Sequence, residues 1–175
     1  PDGRNIVIDG GSTSQSKCGT YTLLPALRSQ GMTEIDCWFV THTDEDHISG
    51  LKELLSQGKL TQIKVRTIVF SAYVFQDAAL AELETMIRAA GITIVWMREG
   101  DVIGDDTFTL TCLHPTAEYR AKDKNAASLA LAYHSDTFDM LFTGDMDADA
   151  VADMDIQQDY DCIKLPHHGS KYPYV

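Results

Sequence analysis

The sequence predicts an α/β fold that includes at least one largely antiparallel portion of sheet. Its 175 residues are 44% hydrophobic and 23% charged, which is ordinary for a globular domain. The first half alternates strand-like runs with helical patterns, whereas later strands follow one another through short turns such as residues 134–137. We expect a single domain that covers residues 1–175.

In the first half, apolar strand-like runs occupy residues 5–9, 35–40 and 65–70. Helical patterns occupy residues 21–30, 48–57 and 77–90. Each helical pattern is followed by a glycine, the residue that most often ends a helix: Gly31, Gly58 and Gly91. In the second half, strand-like runs occupy residues 92–97, 108–113, 128–133, 140–142 and 162–165, and residues 148–154 predict a short helix.

Charge and composition exclude several classes of protein. Fourteen basic and 26 acidic residues give a net charge of −12, which argues against broad electrostatic binding of a polyanion but not against a phosphate held by metal ions. No apolar run reaches the ~18 residues of a membrane span. Four cysteines without a C-x-x-C pair predict small buried side chains rather than a disulfide framework. The sequence begins with Pro1 and a strand follows almost at once, so we expect a segment of a longer protein.

The most informative stretch is residues 41–50, THTDEDHISG, which follows an apolar strand. Imidazole and carboxylate together suit Zn, Mn or Fe, and a divalent ion would relieve the repulsion among three close acids. If the chain stays extended here, His42 and Asp44 serve one ion, and Asp46 and His47 serve a neighbouring one. Glu45 faces away and is interpreted as solvated.

Two further strand ends carry residues of the same type. Residues 140–145, MLFTGD, end in Asp145, a carboxylate whose two oxygens can bridge two ions. Residues 163–170, IKLPHHGS, end in His167 and His168, where one imidazole can bind metal and the other can face substrate. His114, also at a strand end, is a weaker candidate, and His134 beside a turn is interpreted as a surface residue.

These segments resemble the metallo-β-lactamase superfamily, and within it the ComEC-like branch of hydrolase domains associated with DNA uptake and competence. The resemblance runs through five segments: residues 8–11 (IDGG), 42–47 (HTDEDH), 125–129 (NAASL), 143–145 (TGD) and 166–170 (PHHGS). It implies an αββα sandwich with a two-metal site along one edge of the sheets. It also implies further elements at both ends of the fold that lie outside this chain.

The resemblance implies a metal-dependent hydrolase, which in that branch is a phosphodiesterase or nuclease, with two zinc or manganese ions activating a water. The metal ligands carried over are His42, Asp44, Asp46, His47, Asp145 and His168. Asp46 and His167 are assigned to catalysis, with the roles of His167 and His168 interchangeable. Asn125, Ser128, Ser170 and Lys171 are assigned to substrate binding, and Asp9 orients a ligand histidine. For Ser170 and Lys171, a capped turn is an equally good interpretation.

One departure from the family pattern concerns Asn125, which stands in a region where relatives usually supply a further histidine. One ion would then be weakly held, or the site would hold a single ion. The resemblance implies a phosphodiester substrate, with DNA among the candidates. It also implies an extracytoplasmic domain of a membrane-anchored protein if the parent is ComEC itself, and a soluble bacterial protein otherwise. Alternatives are a non-catalytic binding or regulatory domain, a small-molecule ester hydrolase, and a diiron redox protein.

Overall fold

The computed structural model describes residues 3–154, 156 and 158–170. These residues form two compact units. The first unit comprises residues 3–70 and 76–95, and the second comprises residues 71–75 and the described residues from 96 onward. Whether residues 1–175 behave as the single domain expected from the sequence stays a prediction.

The first unit is built on parallel strands that alternate with helices. Its elements are β1 (Ile6–Ile8), α1 (Leu24–Ser29), β2 (Glu34–Phe39), α2 (Glu45–Gln57), β3 (Lys64–Ser71), α3 (Ala78–Ala89) and β4 (Thr93–Met97). Within the described residues the sheet has the order β1-β2-β3-β4, and β2 pairs in parallel with both β1 and β3. A π-helical turn, Gly19–Leu23, leads directly into α1.

The core of the first unit lies where β2, α2, β3 and α3 bury their apolar faces. Fully buried side chains there include Trp38, Phe39, Ile48, Leu51, Ile68, Leu83 and Ile87. The apolar positions of α2 recur at helical spacing, so one face of the helix can be covered while the other stays polar. This packing fixes α2, and with it the acidic histidine stretch at its beginning.

The second unit carries the antiparallel sheet that the sequence predicts. Its elements are β5 (Val102–Gly104), β6 (Phe108–His114), β7 (Ala130–Ser135), β8 (Phe138–Phe142), α4 (Ala148–Asp153) and β9 (Cys162–Lys164). Neighbouring strands from β5 to β8 pair antiparallel, and β9 pairs in parallel with β8. Around α4, Met146, Ala150 and Met154 pack with Ala130.

The sequence prediction missed one strand and placed the start of one helix too late. Strand β5 was not predicted, since three residues with Gly104 among them carry little periodicity. Helix α2 begins at Glu45 and not at residue 48, because its first turn is polar and apolar periodicity starts only at Ile48. Acidic Glu45 and Asp46 suit that first turn, where the helix dipole favours negative charge. The interpretation of residues 42–46 as one extended run is therefore wrong.

All four cysteines are free thiols, which confirms that the chain has no disulfide framework. Cys18 and Cys112 are buried, while Cys37 and Cys162 are half-buried. Burial raises the pKa of the Cys112 thiol to about 12. Among the described residues, no helix combines the length and the apolar character needed to cross a bilayer.

Candidate functional site

In the first unit, the loop after β2 turns directly into the first turn of α2. Asp44 keeps an extended backbone and its carbonyl accepts the N–H groups of His47 and Ile48, so it is the N-cap of the helix. His42 Nε2 lies 3.5 Å from Asp44 Oδ2, and His47 Nε2 lies 3.9 Å from Asp46 Oδ2. The two predicted pairs of ligands are thus adjacent side chains, although the helix begins between them.

Asp9, just beyond β1, is hydrogen-bonded to the ring of His47. Its Oδ2 lies 2.7 Å from His47 Nδ1 and accepts the hydroxyl of Thr41, while Oδ1 accepts the Thr41 N–H. A carboxylate can only accept here, so His47 carries its proton on Nδ1 and keeps the lone pair on Nε2. This is the orienting arrangement found for metal-ligating histidines.

The ring of His42 is oriented through its Nδ1 as well, by the hydroxyl group of Thr41. The Thr41 hydroxyl donates to Asp9, so the 3.1 Å contact between Thr41 Oγ1 and His42 Nδ1 is donated by the imidazole. His42 and His47 are both buried, with ring centroids 4.0 Å apart. Each imidazole therefore has Nε2 as its lone-pair nitrogen, in a cluster with two acids in reach.

Glycines allow β1 to approach α2 closely enough for the Asp9 contact. The Gly10 N–H donates to the carbonyl of His47, and a Cβ added at Gly50 would lie 2.2 Å from the Gly10 oxygen. A Cβ at Gly11 would lie 2.6 Å from the Glu45 carbonyl oxygen. No side chain fits at either position, which explains why Gly50 and Gly11 are glycines.

The nearby lysine does not neutralise the candidate ligands. Lys52 Nζ pairs with Glu45 at 3.1 Å and with Glu82 at 2.8 Å, and the Glu45 side chain is 55% exposed. These partners raise the pKa of Lys52. Glu45 is solvated as predicted, and its charge belongs to this surface ion pair.

In the second unit, Asp145 follows the Thr143-Gly144 turn after β8 and is buried. Its N–H donates to Ser128 Oγ, its Oδ1 accepts a hydrogen bond from Lys164 Nζ at 2.9 Å, and its Oδ2 lies 3.1 Å from His168 Nε2. The predicted ligands Asp145 and His168 are therefore in direct contact. Lys164 was not predicted at this position.

The turn that carries the two adjacent histidines has an unusual backbone. Within Pro166–Gly169, His167 and His168 have φ of +47° and +55°, a left-handed conformation that costs a residue with a Cβ about 1–2 kcal/mol each. Such conformations concentrate at functional sites. His168 is exposed over 53% of its side chain, and the His167 N–H donates to the Gly144 carbonyl.

The predicted substrate residues of the third motif lie mostly inside the second unit. Ser128 is fully buried and accepts the Asp145 N–H. Asn125 Oδ1 is buried and has no hydrogen-bond partner among the described residues. Ser170 donates its N–H to the His167 carbonyl, which is the contact of a turn, and Lys171 lies outside the described residues.

His114 is buried behind this motif, whereas His134 is on the surface as predicted and pairs with Asp139. His114 Nδ1 donates to the Ser128 carbonyl at 3.1 Å, and its Nε2 lies 3.8 Å from Asp153. Burial lowers the pKa of His114, so its ring is neutral at neutral pH. It thus supports the backbone of Ser128.

Asp147 and Asp149 begin α4, as the sequence predicts for acids at a helix N-terminus. The Asp147 side chain accepts the N–H of Ala150, and Asp149 lies in the first turn. Lys122 pairs with Asp147 and holds the pKa of that carboxyl below its usual range, against the effect of its burial. These two acids are explained by helix capping.

The residues present in both units fit a divalent cation. Imidazole nitrogens and carboxylate oxygens are the donors that Zn and Mn use in proteins, and His47 has the orienting carboxylate that such ligands need. Of the residues that the sequence singles out, His42, Asp44, Asp46 and His47 could hold metal in the first unit. Asp145 and His168 could do so in the second.

Comparisons with known proteins identify the family. The family model of the metallo-β-lactamase superfamily matches residues 1–117. The chain is 27% identical over 183 aligned positions to ComE operon protein 3 of Bacillus subtilis (strain 168), a match that covers 97% of this chain and 23% of that protein. The chain therefore spans about a quarter of that relative's length.

Two solved structures match most of the length of this chain. The metallo-β-lactamase fold protein YhfI of Bacillus subtilis is 15% identical with a TM-score of 0.49, and the match covers 79% of this chain and 49% of that one. Zn(2+)-bound PqqB of Methylobacterium extorquens is 11% identical with a TM-score of 0.48, covering 83% and 50%. The α/β fold class predicted from the sequence is confirmed, and this chain belongs to the metallo-β-lactamase superfamily.

Proposed function

We propose that this chain is a metal-dependent phosphodiesterase of the ComEC-like type. The observation that carries the proposal is the 2.7 Å contact between Asp9 and His47, in a stretch with four candidate ligands. A buried imidazole whose Nδ1 is held by a carboxylate presents Nε2 as a ligand, and the loss of such an orienting partner lowers metal affinity about 10–100-fold in known sites. A helix cap alone would not require this arrangement.

The proposed ligands divide as the family resemblance implies. By the resemblance, His42 and Asp44 would hold one ion, and Asp46 and His47 would hold its neighbour. Asp145 and His168 are the candidate ligands of the second unit. Asp44 is a carboxylate and adds negative charge beside His42, which suits a harder cation such as Mn²⁺. Asn125 in place of the further histidine predicts that one of the two ions is held more weakly.

When bound, the cations would supply a water that ionises near neutral pH, and they would neutralise charge on the phosphodiester. The chain's own residues orient the ligands and move one proton. His167, adjacent to the ligand His168, donates a proton to the leaving oxygen. Ser170 and Lys171 contact the phosphate. Asp46 is both a metal ligand and an acceptor for the proton of the attacking water.

The proposed substrate class follows from the family resemblance, and the negative net charge of the chain limits how DNA could bind. A net charge of −12 opposes diffuse binding of DNA, so a DNA substrate would depend on the bound cations for most of its affinity. Short single strands and small phosphodiesters should therefore be compared directly. Hydrolysis of the small ester alone would favour a small-molecule esterase over a nuclease.

The decisive experiment measures metal content and hydrolysis of bis(4-nitrophenyl) phosphate with and without Mn²⁺ or Zn²⁺. The wild type should bind metal and hydrolyse the ester. Asp46→Ala should lose more activity than the ~10–100-fold that removal of an orienting partner costs. Glu45→Ala is the matched control, because that neighbouring acid is 55% exposed and paired with Lys52.

Two outcomes would contradict the proposal: a wild type that binds no divalent metal, or full activity in Asp46→Ala. One alternative has a specific observation in its favour, since Asn125 replaces a family histidine with a weak ligand. A non-catalytic binding domain would bind metal yet hydrolyse none of the tested esters. Metal analysis and the ester assay on the same sample separate the two functions.

A further inference from the structure

Lys164 is fixed by its backbone beside the turn that carries Asp145. In the parallel pairing of β9 with β8, Lys164 lies opposite Phe142. The Thr143 hydroxyl also donates to the Lys164 carbonyl at 2.7 Å. The backbone of Lys164 is therefore attached to the turn at residues 143–145, which is also the turn that its ammonium group contacts.

The ammonium group of Lys164 donates two hydrogen bonds to residues of that turn. It donates to the Gly144 carbonyl and, at 2.9 Å, to Asp145 Oδ1. Asp145 is 96% buried as a side chain, whereas Lys164 keeps 31% of its side chain exposed. A buried carboxylate needs a nearby positive charge or hydrogen bonds to stay ionised, and Lys164 supplies both.

The two oxygens of Asp145 consequently have different neighbours. Oδ1 is bound by a cationic side chain, whereas Oδ2 lies 3.1 Å from His168 Nε2 on the side of the other candidate ligand. If this carboxylate bridged two ions through both oxygens, the ion on Oδ1 would lie beside the Lys164 ammonium group, and the two positive charges would repel each other. The sequence does not predict this contact, because a lone lysine carries no signal for it.

We propose that Lys164 is an internal cation that holds Oδ1 of Asp145, so that Asp145 contacts metal through Oδ2 alone. This inference rests on the proposed function and deepens it. Lys164 is a positioning residue: it holds the Asp145 carboxylate in place without metal, and its charge lowers the affinity for divalent ions. Metal affinity is then set by competition between a tethered monovalent charge and the incoming ion.

The test compares the intact chain with Lys164→Met, which keeps the aliphatic length but removes the charge. We measure the midpoint of thermal unfolding without metal, and the affinity for Mn²⁺ and Zn²⁺ by calorimetry. Lys164→Met should unfold at a lower temperature without metal, because a buried carboxylate has lost its cation. It should bind divalent ions about tenfold more tightly, because a positive charge near the site is gone. Lys164→Arg should restore the wild-type behaviour in both measurements.

Lys122→Met is the matched control, since Lys122 also pairs with an aspartate of the second unit but with Asp147, which caps α4. It should leave metal affinity unchanged. Equal or weaker metal binding by Lys164→Met, with wild-type binding intact, would overturn this inference and leave the proposed function standing. Absence of metal binding in both the wild type and Lys164→Met would instead contradict the proposed metal site itself.

Discussion

The two units present their candidate histidine ligands in opposite ways. In the first unit, His47 lies in the first turn of α2, is buried, and has its Nδ1 held by Asp9. In the second unit, His168 lies on a left-handed turn and is 53% exposed. The first ligand is positioned by regular structure and an orienting carboxylate. The second is positioned by a strained backbone and by its contact with Asp145.

This difference teaches that orientation can be supplied by a side chain or by the main chain, with different costs. The Asp9 contact needs a close approach of two backbones, which Gly11 and Gly50 make possible. The turn at His167 and His168 needs two residues in an unfavourable conformation instead. The following variants test the comparison, from the largest expected effect to the smallest.

Asp9→Ala should have the largest effect, because three donors lose their acceptor at once: the Thr41 N–H, the Thr41 hydroxyl and His47 Nδ1. Each buried donor left without a partner costs ~1–3 kcal/mol, so three of them predict a loss of about 3 kcal/mol or more in the free energy of unfolding. Urea unfolding measures it. Asp36→Ala, at a half-buried carboxylate that accepts the Asn5 N–H, is the control. Equal losses in both variants would show that Asp9 has no special structural role.

Gly50→Ala should cost about 1–3 kcal/mol, the usual range for forcing an extra carbon into a packed interior. The added Cβ would lie 2.2 Å from the Gly10 oxygen, so β1 and α2 must separate. Gly3→Ala, where nothing lies within 4 Å, should have almost no effect. Thermal unfolding of both variants checks this, and an unchanged stability of Gly50→Ala would refute the close-approach explanation.

Paired glycine and alanine substitutions should give opposite signs in the two units. At position 47, glycine should be about 1 kcal/mol less stable than alanine, because the position is helical. At position 168, glycine should be about 1 kcal/mol more stable than alanine, because φ is +55°. Chemical unfolding of the four metal-free variants measures both differences. The same sign at both positions would mean that the strained turn does not persist in solution.

We expect the smallest change in stability for substitution of His114. The Ser128 carbonyl orients its ring, whereas a carboxylate orients the ring of His47. The pKa of His114 is lowered in the folded state, so below the unfolded value of ~6.5 the unfolded chain binds more protons and stability falls as pH decreases. Above that value the effect vanishes. His114→Asn, which keeps a donor for Ser128, should reduce the slope by up to ~1.4 kcal/mol per pH unit between pH 6.5 and the folded pKa. Identical slopes would contradict a buried neutral ring.

Much of the fold could be predicted from the residues because the signals are local. Alternating apolar runs and terminal glycines located the helices and most strands to within a few residues. The beginning of α2 was placed too late because its first residues, Glu45, Asp46 and His47, are polar, and apolar periodicity cannot detect a polar turn. Strand β5 was missed because three residues are too few to show a period.

The sequence by itself determined the family, the fold class and the candidate ligands, because ligand type and order along the chain are written in residue identities. Tertiary structure alone decided that Asp9 reaches His47, that Ser128 is buried against Asp145 and that Lys164 holds Oδ1 of Asp145. These contacts join residues 17 to 38 positions apart in the chain. Which side chains meet over such distances depends on strand register and backbone separation, and neither can be computed from local pattern.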